Sequence, residues 1–90
     1  MNDQALRNLL ERIEREIEQT EPDDEKGRKL LRHIEADIRA FRERPEDKWR
    51  EPEDSFIERM NDAIDHFQIT HPTLTTMISQ MLNILSNAGI

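Results

Sequence analysis

Ninety residues make one small domain, and with 34% hydrophobic against 37% charged side chains such a chain buries a modest core and gains from self-association. A net charge of −7 argues against nucleic acid, whose binding rests on Lys and Arg meeting phosphates, and against anionic membrane surfaces. The chain has no Cys, which removes disulfides and thiolate metal sites and leads us to expect a reducing, cytoplasmic setting.

Residues 3–20 read as the first helix. Leu6, Leu10, Ile13 and Ile17 repeat at helical spacing with Leu9 at the edge of the stripe. Glu11 and Arg15 form a favourable four-residue pair, and Asn2 or Asp3 can cap the start. No basic stretch followed by an apolar run marks a secretory signal here. The break Thr20-Glu21-Pro22-Asp23-Asp24 offers three caps for a second helix: Thr20, Asp23 and Asp24. That helix spans about residues 24–44, with Leu30, Leu31, Ile34, Ile38 and Phe41 on its stripe. Asp24–Arg28, Glu35–Arg39 and Arg39–Glu43 stand at pairing distance along it. The short link makes residues 1–44 an antiparallel hairpin, slender and coiled-coil-like, with an open seam for a third element.

Residues 45–54 form a linker, too rich in Pro and charge for a helix or a strand. Trp49, the only Trp, sits in it. Its ring is expected to fold back over a hydrophobic edge, and the other reading is a contact for a protein partner.

Residues 55–90 read as a C-terminal helix pair. Ser55-Phe56-Ile57-Glu58 has the capping-box pattern. Phe56, Ile57, Met60, Ala63, Ile64 and Phe67 then make the inner face of the third helix, and Glu58, Asp62 and Asp65 lie outside it. From His66 onward the chain reads HFQITHPTLTTMISQMLNILSNAGI, without a single Asp, Glu, Lys or Arg. His71-Pro72 sets the start of the fourth helix, and Gly89 with Ile90 can close its end. Leu74, Met77, Ile78, Met81, Leu82, Ile84, Leu85 and Ala88 span about 160° of the wheel, wider than the ~100° stripe of a surface helix. Thr73, Thr75, Thr76, Ser79, Gln80, Asn83, Ser86 and Asn87 on the other side are polar but neutral, and cheaper to bury than ions. The helix therefore reads either as core or as core and subunit interface at once. Its apolar interleaving with Thr, Ser, Gln and Asn falls short of the ~20 apolar residues that span a bilayer.

Chemistry is sought along the same chain without a strong motif. A carboxylate-bridged dimetal bundle needs Glu three residues before His, and Leu30, Ala63 and Gln68 hold those positions before His33, His66 and His71. Asp62 and His66 share a face and could hold a surface metal, though two ligands are fewer than metal sites use. His71, at a helix start where positive charge is unfavourable, reads as a neutral packed or capping residue, with a pH-sensitive contact second. Gly27 and Gly89 stand too far apart for a phosphate-cradling loop. Ser55, Ser79 and Ser86 lack a nucleophile's surroundings. Met77 and Met81 fit a packed core and leave a groove open as a reading. A DNA-reading helix-turn-helix is excluded, because the fourth helix has no Lys or Arg.

The leucine-spaced first helix, the acidic turn opening the second, and the C-terminal run together resemble a bacterial family of short helical proteins, the domain of unknown function numbered 4404. Phe67, His71-Pro72 with Leu74, and the closing Leu85-Ser86-Asn87-Ala88-Gly89-Ile90 carry the resemblance most closely. It implies a small helical protein and brings no activity, substrate or site residues.

The expectation is an all-α chain of four helices in two hairpins, a slender N-terminal hairpin packed with a C-terminal helix pair and completed by homo-oligomerisation. Its function would be that of a non-enzymatic, self-associating scaffold module, a homodimer without cofactor, metal, nucleic acid or membrane. Leu74, Met77, Ile78, Met81, Ile84 and Leu85 are the candidate core or self-association face, and Trp49 the candidate partner contact. The competing readings are a ligand- or metal-binding bundle with Asp62, His66 and His71 near a pocket, and an acidic adaptor for a basic protein.

Overall fold

In the computed structural model, which describes residues 3–49 and 51–88, the hydrophobic stripes become four helices. They are α1 (Asp3–Gln19), α2 (Glu25–Glu43), α3 (Asp54–Phe67) and α4 (Pro72–Ala88), with a short 3-10 turn at Glu46–Lys48. The described residues contain no strand. The cap at Asn2 or Asp3, the place of Ala88 in the apolar arc and the Gly89–Ile90 ending lie outside the described residues and side chains.

Local chemistry sets most boundaries. The Thr20 hydroxyl donates to the Glu16 carbonyl at 2.7 Å and its amide reaches Ile17 O at 3.1 Å, which closes α1. Of the three possible caps for α2, Asp24 takes the role: its backbone is extended and its carboxylate accepts the Gly27 amide at 3.1 Å. Arg44, held extended ahead of Pro45, ends that helix. Pro72 opens α4, and the buried Thr75 side chain is satisfied by donating to Pro72 O at 3.1 Å.

The capping box at Ser55 does not form. The first turn of α3 is closed by the Ile57 amide on Glu53 O at 3.2 Å, so Ser55 already lies inside the helix and Glu53 is the cap residue, without a side-chain bond. Acidic Asp54 in the first turn complements the helix dipole in its place.

The linker is docked. Trp49 is fully buried, and its ring N–H donates to Arg44 O at 3.1 Å. Phe41 stacks between Trp49 and Phe56, at 5.9 and 5.0 Å between ring centres. The Arg7 guanidinium of α1 lies 5.1 Å over the Trp49 ring and pairs with Glu46. Arg44 ties the loop shut through Lys48 O at 2.9 Å and Glu51 O at 3.1 Å. Trp49 thus covers the hydrophobic edge and offers no surface to a partner.

Helices next to each other in sequence pack together, and α4 returns to lie along α1, so the four surround one core in a bundle of 37 × 22 × 20 Å. The seam that the first hairpin leaves open is filled by the second hairpin of the same chain. Leu74, Ile78, Met81 and Leu85 are 0–3% exposed in that core, while Met77, Leu82 and Ile84 are partly buried against it.

The ion pairs differ from those expected along the helices. Glu11–Arg15, Glu35–Arg39 and Arg39–Glu43 do not close, and Arg28 turns to Glu25 at 3.1 Å because Asp24 is engaged as a cap. The pairs that form cross between helices: Arg42 with Glu14 at 2.5 Å, Arg39 with Glu14 at 3.9 Å, and Arg59 with Asp37. Glu14 is only 14% exposed, and a carboxylate so placed draws in both guanidinium groups.

Candidate functional site

Two surfaces could carry a function. The first is a groove of about 560 Å³ between α2 and α3, with Lys26, Lys29 and His33 on one wall and Asp62, Asp65 and His66 on the other. At its upper end Asp24 joins the two helices, accepting both the Gly27 amide and the His66 ring at 2.9 Å. A carboxylate only accepts, so the His66 proton in this bond sits on Nε2. Desolvation works to raise the Asp24 pKa, but the Gly27 amide and His66 outweigh it and hold the carboxyl below its ordinary value.

Gly27 makes this approach possible. A Cβ there would stand 2.5 Å from Asp24 Oδ1, 2.9 Å from Pro22 Cβ and 3.1 Å from His66 Nε2. Nothing in the periodicity of α2 marks this. The available signal is a glycine three residues after an acidic cap in an otherwise good helix.

The groove gathers Asp62 and His66, as the ligand-binding reading expects, and adds His33 from α2. His71 lies elsewhere, 3.0 Å from the Thr70 hydroxyl and edge-on to Phe67 at 5.5 Å, which is the packed role. His66 meets the same Phe67 ring edge-on at 4.9 Å. Among the described residues no three His, Cys, Asp or Glu side chains come together to hold a metal, and His66 is already spent on Asp24.

The second surface is built around α4. Thr73, Thr76, Gln80, Asn83 and Asn87 are exposed along its outer side, none of them charged. On the α3 flank lies a groove of about 400 Å³ whose described lining residues, Pro52, Ile57, Asn61, Leu82, Asn83, Leu85 and Ser86, are again uncharged. On the α1 flank a concavity of about 310 Å³ has Arg12 as the one charged side chain among its described lining residues. The hollow at the other end of the α2–α3 seam, by contrast, is lined by Asp37, Arg44, Glu53 and Arg59. Of the six candidate face residues, Leu74, Ile78, Met81 and Leu85 serve the core of their own chain, and Met77 and Ile84 reach the surface in part.

No described helix is long and apolar enough to cross a membrane. A family model described as Domain of unknown function (DUF4404) matches residues 6–90. No curated protein and no solved structure matches the chain.

Proposed function

The chain belongs to the DUF4404 family, and we propose that it is a non-enzymatic helical module that forms a homodimer through α4 and scaffolds or modulates another protein in a bacterial cytoplasm. The observation that carries this reading is the neutrality of the α4 surface on a chain of net charge −7. The outer sides of α1, α2 and α3 present charges such as Glu11 and Arg15, Lys29 and Arg32, and Asp62 and Asp65. About a two-fold axis a face meets its own copy, so a charged group close to the axis meets its like. Helix α4 has no charge of its own to incur that cost, Arg12 of α1 being the charged group beside it, and Met77, Leu82 and Ile84 supply apolar area at its edges. A bundle side of 37 × 22 Å is of the size that a standard interface, about 800 Å² per partner, requires.

Sedimentation or light scattering at high micromolar concentration tests this. The wild type should run as a dimer, and Thr76→Lys should give a folded monomer, because Thr76 is exposed and its replacement touches no core contact. A wild-type monomer at that concentration sinks the reading.

The α2–α3 groove supports a second reading, a small-ligand-binding bundle, through its opposed walls of Lys26 and Lys29 against Asp62 and Asp65. A panel of small zwitterions and anions that leaves the melting temperature unmoved would remove it.

A further inference from the structure

We infer that the dimer is antiparallel and reciprocal: Ile69 of each copy seats in the uncharged groove between α3 and α4 of the other. This rests on self-association through α4 and specifies how the two copies meet.

Among the described residues Ile69 is the large hydrophobic side chain left in solvent, at 88% exposure. One exposed Ile is ordinary by itself. Its setting is what gives it meaning. The turn that carries it is braced, with the His71 amide on Phe67 O at 2.7 Å and the buried Phe67 ring held edge-on by His66 and His71. Ile69 is therefore presented by a fixed turn and not by a fraying end.

The turn closes one end of the α3–α4 seam, and the groove lies toward the other end of the same seam. Pro52, Ile57, Leu82 and Leu85 give that groove its apolar lining, and Asn61 and Ser86 its neutral rim. Ile57 and Leu82 are only partly buried, so each still has apolar surface to cover. An aliphatic side chain entering there meets, among the described lining residues, no charge that would have to be desolvated.

Symmetry decides the rest. A two-fold axis lying in the interface and perpendicular to α4 reverses the helix direction but keeps α3 on the same side. Ile69 of one copy then travels along the α3–α4 seam of the other. At 1.5 Å per residue, Ile69 and the groove at Leu82–Ser86 lie about 20–25 Å apart along the helix, so the axis passes near Thr76. Thr73 then stands across from Gln80 of the partner subunit. Both Ile69 contacts form together, and the dimer closes without leaving a free half to propagate. A parallel arrangement would set Ile69 against its own copy and leave both grooves empty. Arg12, the one charged side chain among the described residues of the α1-flank concavity, lies beside Thr73, Thr76 and Gln80 near this axis, while the Ile69 contacts are made on the α3 flank.

The test uses the whole chain. Ile69→Asp should keep the helical spectrum of the wild type, since the residue is 88% exposed in its own chain, and should weaken the dimer at least about 100-fold, because both symmetric contacts are lost together. The chain has no Cys, so Ile69→Cys and Ser86→Cys proteins, mixed under oxidising conditions, should trap a disulfide-linked pair of unlike copies. Neither variant alone should do so efficiently. A wild-type dimer that Ile69→Asp leaves intact, or one whose mixed Cys variants fail to cross-link, overturns the antiparallel arrangement while self-association stands. A wild-type monomer overturns both.

Discussion

Replacing Gly27 with Ala should destabilise the protein, although the same change in an ordinary helix interior gains about 0.5–1 kcal/mol. Gly27 is buried in the first turn of α2, with Asp24 folded over it. The new methyl would meet Asp24 Oδ1 at 2.5 Å, Pro22 Cβ at 2.9 Å and His66 Nε2 at 3.1 Å. The carboxylate can swing away, but doing so surrenders the Gly27 amide and the link to His66. Pro22 is buried and its ring is rigid, so that contact is relieved only by moving backbone. Overfilling a packed site costs about 1–3 kcal/mol, which at mid-range exceeds the helix-propensity gain and leaves a net loss of about 1 kcal/mol. For a domain of this size each kcal/mol lowers the melting temperature by about 4–8 °C. Urea and thermal unfolding followed by circular dichroism would read the change. In an Asp24→Ala background the penalty should shrink, because the closest contact is gone and only Pro22 and His66 remain. A Gly27→Ala protein as stable as the wild type, or more stable, would refute the close packing of Asp24, Pro22 and His66 around this glycine.

Leu85, 3% exposed in the core, should cost about 2–5 kcal/mol on truncation to Ala, and a loss under about 0.5 kcal/mol in chemical denaturation would place it on the surface. Trp49, the only Trp, should emit at short wavelength in the native protein and shift to the red on unfolding; native emission at solvent-like wavelength would mean an undocked linker. Trp49→Phe removes the donor to Arg44 O and should destabilise by about 1–3 kcal/mol, again by denaturation. Asp24 has a folded pKa below its ordinary value, so its contribution is present above the unfolded pKa and is lost as pH falls through the folded one. Asp24→Asn should accordingly flatten the acid limb of the stability profile, and a profile unchanged by that substitution would contradict the assignment.

Much of the fold was legible because its determinants are local. Pro72 fixes a helix start wherever it stands, and the stripes of α1 and α3 face inward by periodicity alone. The misreadings come where a local pattern meets a non-local constraint. Ser55 and Glu58 have capping-box spacing, but the cap of α3 is set two residues earlier by the Ile57 amide on Glu53 O. Thr20, Asp23 and Asp24 are equally good caps on paper; His66, 42 residues further on, lies against the one that is used. The ion pairs were misplaced for the same reason. Spacing along one helix says nothing of Glu14, which takes Arg39 and Arg42 from the neighbouring helix. On α4 the wheel measures how wide the apolar arc is, not what covers it. The return of α4 to the side of α1 closes the core within one chain and, among the described side chains of that arc, leaves Met77, Leu82 and Ile84 partly in view.

How charge is distributed over the bundle yields a last prediction, one that separates the two faces by salt. Arg42 and Arg39 on Glu14 join α1 to α2, Arg59 on Asp37 and His66 on Asp24 join α2 to α3, and Arg7 on Glu46 ties the linker to α1. Helix α4 has no charged side chain, and its described core side chains hold it by apolar packing. A dimer formed through it makes no ion pair across α4, while two copies of charge −7 repel at longer range. Salt screens that repulsion, with a Debye length of about 8 Å at physiological strength and ~3 Å at 1 M. Raising salt should therefore leave the dissociation constant unchanged or lower it. The α2–α3 groove behaves in the opposite way, since a dimer joined there would set Lys26 and Lys29 against Asp62 and Asp65 of the other copy, attractions that salt weakens. Sedimentation equilibrium at low and high ionic strength distinguishes the two. A dimer that dissociates as salt rises would move the interface from α4 to the charged groove on the opposite side of the bundle.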